Sequence, residues 1–400
     1  MYYIVILDNL LLSTWEQLAM STTTIIPLEQ RIATLDILRG FALFGVFLVN
    51  MLDFSSSALR SDTLGARGSV LDQLVDIGIA FFAITKFYLL FSFLFGVGFA
   101  VQMRRMAATD RPFTGFYLRR LLVLLLIGVA HAILLWDGDI LRLYAVAGGL
   151  LLLVRHWSDR ALLALAGVIA LMGLVGFSLV PYAAATTMVS VQGRDLFSNG
   201  TYLQLVLYRL GQQSVLDIQI PMVLVMFLVG LVVGRSGILD DPLRYQPLLG
   251  RGWKWALPFA LVGNGLFLIG FEAERMWMVS IGIHIGAPLL SFVYAAWVLL
   301  YAEKLTIFAP VGQMALTNYL AQSLIATTLF YGYGFGLYDQ VLPTMMLLLV
   351  LIIFVVQIGL SHFWLARYRF GPVEWLWRSL TYGQWQAFRR HSKRTATGGE

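Results

Sequence analysis

Long apolar runs alternate with short polar breaks along this chain, and the runs have the length that crosses a bilayer. A spanning helix needs about 20 mostly apolar residues. About ten such stretches can be placed, centred on 35–53, 80–101, 118–136, 139–155, 160–181, 214–234, 253–271, 277–301, 308–332 and 342–366. The pattern predicts an all-α fold, a polytopic transmembrane helix bundle. The first run carries Asp36, Arg39 and Asn50 into the apolar segment. Asp36 and Arg39 share one helical face, and Asn50 returns to that stripe about 16 Å further along the axis. Polar groups in hydrocarbon face a bundle interior and find partners there. A polar seam pointing inward is therefore expected on the first helix. The plainer account is an Asp–Arg pair anchoring the helix end and an Asn stapling its neighbours.

The polar breaks set the orientation. With the N-terminus inside, 20 Lys and Arg residues fall on the cytoplasmic side and 5 (Arg60, Arg67, Arg194, Arg209, Arg275) outside. Positive charge accumulates on the inner side, so the expected topology is N-in, C-in. Two outer loops, 54–75 and 182–210, are long, and the second ends in Tyr202–Tyr208, read as a helix lying along the interface. After the last run, Gly371-Pro372 ends one helix and starts another. The Trp and Tyr residues that follow belong at a headgroup boundary, so a short interfacial helix, acting as an anchor, should close the fold. The organisation read from this is a lead-in at 1–30, an N-terminal transmembrane half at 31–210, a C-terminal half at 211–385 and a disordered basic tail at 386–400. Residues 1–19 lack a basic n-region and a cleavage site, and Asp8 and Glu16 interrupt them. The chain reads as starting at Met20, with nothing functional before it.

Composition narrows the class. The chain is 59% hydrophobic and 12% charged. A soluble domain carries about 25% charge, so the composition is that of a membrane protein. The net charge of +6 lies in loops and tail, which fits membrane lipids as partners and not nucleic acid. The chain has no cysteine, and disulfides, thiolate metal sites and a cysteine nucleophile are thereby excluded. No Walker A loop, dinucleotide fingerprint or HExxH spacing is present, so no metal is expected.

The chemistry gathers towards the outer face. Asn50 and Asp53 end the first span, Lys86 enters the second, and His131 lies in the outer third of the third. A tight hairpin, Trp136-Asp137-Gly138-Asp139, opens the fourth span, with Arg142 three residues on. Asp139 suits a helix N-cap, which is a sufficient structural role. The sharper reading sets His131 facing Asp139 across the hairpin, the carboxylate orienting an imidazole general base. Lys86 and Arg142 would then hold an anionic substrate or stabilise an oxyanion. His284 reads as a packed interior residue. Asn318, Tyr319 and Gln322 form a polar helix face that either bonds a neighbouring helix or lines a cavity.

Several stretches together resemble the bacterial YeiB-type family of inner-membrane proteins. They are Arg31-Ile32, Leu35-Asp36 through Asn50, Lys86-Phe87-Tyr88, Gly138-Asp139-Ile140-Leu141, Gly312 to Ser323, and Gly371-Pro372-Val373-Glu374-Trp375-Leu376-Trp377-Arg378. The resemblance runs from about Arg31 to Tyr382, and the C-terminal half corresponds to a domain of unknown function. That family is grouped loosely with transmembrane acyltransferases, among them the heparan glucosaminide acetyltransferases, whose first helix is similar around Asp36, Arg39-Gly40 and Asn50. Those enzymes use a histidine in the loop after that helix; residues 51–75 here contain none, so His131 would supply the base from another helix.

The resemblance implies an acyltransferase of the bacterial cytoplasmic membrane. It would move an acyl group from acyl-CoA, entering near Asp36 and Arg39, to a small-molecule or envelope-glycan acceptor outside. His131 and Asp139 would be catalytic, with Lys86, Arg142, Asn50, Asp36, Arg39 and Asn318 binding substrates. A transporter or flippase of a small anionic or amphipathic solute accounts for the same polar groups. So does an envelope scaffold with no small-molecule site.

Overall fold

The computed structural model describes residues 28–56, 68–107, 112–182, 194–211, 219–238 and 245–390. The expectations for the N-terminal lead-in, for the middles of both outer loops and for the end of the tail lie outside these residues. The described chain is a helix bundle. In order, the helices are α1 (Leu28–Ser55), α2 (Val70–Phe82), α3 (Lys86–Ala107), α4 (Phe113–Leu134), α5 (Leu141–Val154), α6 (Asp159–Ser178), α7 (Arg194–Asn199) and α8 (Tyr202–Gly211). Then follow α9 (Ile220–Ser236), α10 (Gln246–Glu272), α11 (Met276–Leu300), α12 (Ala309–Gln313), α13 (Ala315–Phe330), α14 (Pro343–Arg367) and α15 (Pro372–Tyr382).

Seven stretches are long and apolar enough to cross a membrane: Thr34–Ser55 within α1, Val70–Ala107, α4, α6, α10, α11 and α14. The three remaining runs of the sequence pattern form shorter helices, α5, α9 and α13. Two of these are shortened by local punctuation. The Asp137-Gly138 hairpin delays the start of α5, and Met314 separates α13 from the single turn of α12. The second run also divides. The polypeptide breaks between α2 and α3, where Thr85 has a positive φ, a conformation rare for a β-branched residue. Lys86 is consequently the first residue of α3, at the break within the Val70–Ala107 stretch.

Small residues bring the central helices together. A Cβ on Gly96 would overlap the Phe227 carbonyl oxygen, and one on Gly230 would overlap that of Phe93. The α3–α9 crossing therefore admits only glycine at these positions. In the same way a Cβ on Gly312 would run into the Asp36 carbonyl oxygen, and one on Gly40 into that of Phe308, so α12 lies directly on α1. Without a hydrophobic drive between helices in lipid, such backbone approach supplies the packing.

α15 begins after Gly371 and packs against α4 and α13. Its Glu374 accepts hydrogen bonds from the Leu316 and Thr317 amides at 2.7 and 2.9 Å and from the Thr317 hydroxyl. These bonds satisfy free N–H groups at the start of α13. Burial pushes the Glu374 carboxyl above the ordinary range, against the opposing hydrogen bonds from Thr317 and Leu316. The basic tail, expected to be disordered from 386, is ordered as far as 390. The Arg369 amide donates to the Phe388 carbonyl at 2.9 Å, and the Phe388 ring sits between Tyr368 and Trp375. Aromatic stacking holds this segment, and a charge count does not register it.

Candidate active site

His131 lies in the last turn of α4, and the hairpin that follows turns the chain back beside it. Gly128, three residues earlier on the same face, makes the approach possible. A Cβ there would meet the Arg142 amide nitrogen at 2.8 Å and Asp139 Oδ1 at 2.9 Å. The Asp139 carboxylate divides its two oxygens. Oδ2 lies 2.7 Å from His131 Nδ1, and Oδ1 accepts the Arg142 amide at 2.8 Å. Ile140, not Asp139, is the N-cap of α5, but the second bond satisfies the Arg142 N–H in its first turn, so a structural and an orienting role of Asp139 coexist on different oxygens.

A carboxylate only accepts, so Nδ1 carries a proton, and in the neutral imidazole the lone pair is on Nε2. His131 and Asp139 are buried, at 3% and 7% exposed, and Nε2 has no hydrogen-bond partner. An aromatic cage surrounds the imidazole. The Tyr319 ring from α13 is 5.1 Å away and the Trp136 ring 6.5 Å away, with Trp136 resting on Phe54 at the end of α1. The Tyr319 hydroxyl is buried beside the Ile140 backbone, without a well-formed hydrogen bond. An oriented imidazole with an unused Nε2 is equipped to take a proton from a hydroxyl or amine. A nearby phenol can donate to an oxygen that gains charge.

Arg142 belongs to this group. Its Nε is 3.6 Å from Asp139 Oδ1, and Nη2 donates to the Asp137 carbonyl at 3.1 Å. Lys86 makes its contacts elsewhere. It is 1% exposed, its ammonium donates to the Ala80 carbonyl at 3.1 Å, and it lies 5.3 Å from the centre of the Phe267 ring on α10. It is held at the α2–α3 break because Ser291 of α11 donates to the Lys86 carbonyl at 2.7 Å. Asp36 and Arg39 form an ion pair at 2.9 Å near the opposite end of α1 from the His131 cage. Asn50 is half-buried on α1.

Asn318 belongs to a network between helices. Its amide donates to Ser361 of α14 at 3.0 Å, and Gln357 donates to the Asn318 carbonyl at 3.1 Å and accepts from Gln322 at 2.9 Å. His284 sits on a π-helical turn, Gly282–Gly286, with Nδ1 3.0 Å from the Ser280 carbonyl oxygen. Among the described residues no cluster of His, Asp and Glu could hold a metal. The residue least visible in the sequence is Tyr319. It lies far along the chain from His131, and only its place beside Asn318 on a polar face marks it.

Residues 233–384 match a family described as protein of unknown function (DUF418). The chain is similar along most of its length to the uncharacterized protein YxaH of Bacillus subtilis, at 35% identity over 91% of this chain and 98% of that one. It is 30% identical to an uncharacterized 39.9 kDa protein in the amylase 3′ region of Bacillus acidopullulyticus, over 90% of this chain and 96% of that one. The uncharacterized protein YeiB of Escherichia coli is also 30% identical, over 88% and 96%.

Proposed function

The chain belongs to the family of YxaH and YeiB, and we propose that within it this protein is an acyltransferase of the bacterial cytoplasmic membrane. The observation that carries the reading is the buried Asp139–His131 pair with its unpartnered Nε2. In this reaction His131 Nε2 removes the proton from an acceptor hydroxyl or amine as that group attacks the carbonyl of an acyl thioester. Asp139 holds the imidazole in the required tautomer and stabilises the imidazolium. Tyr319 and Arg142 stand ready to offset negative charge on the carbonyl oxygen. The tetrahedral intermediate collapses with loss of the thiolate, which takes up the proton. Acyl-CoA is the donor, arriving from the Asp36–Arg39 end, and the acceptor is a small molecule or an envelope glycan.

The test is acyl transfer from acetyl-CoA and a longer acyl-CoA by the purified protein. His131→Ala should lower kcat by about 10²-fold or more while leaving the thermal shift caused by acyl-CoA intact. Arg39→Ala should diminish that shift. Wild-type turnover in His131→Ala would overturn the assignment.

Lys86 favours a second reading, transport of a small anion. Among the described residues its buried ammonium has one hydrogen bond, to a backbone carbonyl, and no carboxylate pairs with it. Such a group is costly at membrane depth and marks ion or proton pathways elsewhere. Flux into vesicles that depends on pH or potential and falls in Lys86→Ala, with no transfer from any thioester, would put transport first.

A further inference from the structure

Packing of α15 on α4, through Trp377 on Arg120 and Tyr382 on Phe116, brings three guanidinium groups from distant parts of the chain into one neighbourhood, in the half of α4 away from His131. They are Arg39 of α1, Arg120 of α4 and Arg378 of α15, and both Arg39 and Arg378 lie within Coulombic range of Arg120. Like charges repel, and such a gathering normally recruits carboxylates. Here Asp36 pairs with Arg39, but no carboxylate among the described residues pairs with Arg120 or Arg378. Glu374, one turn before Arg378, is engaged by Leu316 and Thr317.

Aromatic faces position these groups. The Arg120 guanidinium lies 3.7 Å from the Trp377 ring centre, and the Trp377 indole N–H donates to the Arg120 carbonyl at 3.0 Å. Arg378 lies 4.7 Å from Phe370 and 5.6 Å from Tyr382. An aromatic ring takes up none of the guanidinium N–H donors as a carboxylate would, and arginine presents such donors as a fork to phosphate. Two polar atoms in this neighbourhood are buried without partners: Arg378 Nε, and the hydroxyl of Tyr117, which is 2% exposed and one turn from Arg120 on α4. Buried donors ordinarily find acceptors.

We propose that Arg39, Arg120 and Arg378, with Tyr117, form a binding site for a phosphate group, and that α15 is part of that site as well as an anchor. The phosphate belongs either to a coenzyme-type thioester or to a phospholipid headgroup, since both present the same oxygens. Eleven residues separate Arg120 from His131, so about 16 Å along one face of α4 is the distance that an extended chain would span between a phosphate held here and the imidazole. If the ligand is a coenzyme, the site rests on the acyltransferase reading and deepens it by seating the donor; if it is a lipid, it stands apart from that reading.

Two probes separate the sources. Coenzyme A is titrated by thermal shift against detergent-purified protein, and phosphatidylglycerol retention is measured by native mass spectrometry with phosphatidylcholine as the neutral comparison. The wild type should bind one of the two, and Arg378→Gln and Arg120→Gln should each weaken that binding about tenfold or more. Arg378→Lys should retain part of it. Arg119→Gln, an exposed neighbour on α4, should bind normally and controls for loss of net charge. Wild-type binding in both Gln variants, or binding of neither probe by the wild type, overturns the site. His131→Ala should leave the binding unchanged, so a failure of the catalytic reading remains distinct from a failure of this one.

Discussion

Asp139 has two oxygens with two tasks, and substitutions there separate chemistry from stability. Asp139→Asn can keep an oxygen on the Arg142 amide, but it places an NH2 group opposite His131 Nδ1. The imidazole must then accept at Nδ1 and carry its proton on Nε2, so it is no longer a base. The expected outcome is a fall in kcat of about 10²- to 10⁴-fold with little change in Tm. Asp139→Ala loses the bond to the first turn of α5 as well and should cost about a further 1 kcal/mol in thermal unfolding. Equal Tm losses in the two variants would rule out the structural role. At the same scale, Tyr319→Phe removes the hydroxyl while keeping the ring against His131. It should lower kcat and leave binding of acyl-CoA, measured by thermal shift, unchanged.

Helix contacts in this protein rest on backbone approach, and glycine substitutions measure it. Gly312→Ala drives a methyl into the Asp36 carbonyl, where only a shift of α12 relieves the clash. A loss of at least about 1–3 kcal/mol is expected from such overpacking. Gly149→Ala on α5, where nothing lies within 4 Å of the new methyl, should be neutral or slightly stabilising in the same assay. The α15 contact has a pH signature. Because burial raises the Glu374 carboxyl above 4.5, the folded state binds its proton more tightly than the unfolded chain. That stabilisation is complete below about 4.5 and is lost as the pH rises through the folded value. Thermal unfolding of Glu374→Gln should lack this dependence, so the wild type should lose Tm relative to the variant as the pH rises from about 4.5.

For the whole molecule, the charge pattern specifies a topology that the cysteine-free sequence makes easy to test. Single cysteines introduced as Ser61→Cys and Ser392→Cys should label from opposite sides, the first from outside and the second only after permeabilisation. Labelling of both from one side would reverse the N-in, C-in assignment for one terminus. The same charge pattern bears on the arginine cluster, since Arg104, Arg105, Arg119 and Arg120, expected on the inner side, lie at or near that end of α4.

The sequence by itself determined the class, the all-α bundle and most helix positions, because apolar run length is a local property and lipid admits few other structures. It also determined that His131 could meet Asp139, because a short Asp-Gly hairpin folds back on itself whatever surrounds it. The tertiary structure decided everything that depends on distant segments. It placed Lys86 at a helix break beside Phe267 and brought Tyr319 to the imidazole. It also gathered Arg39, Arg120 and Arg378 from opposite ends of the chain. No periodicity encodes these meetings. They follow from how distant helices pack, through close backbone approach at glycines in some places and aromatic contacts in others.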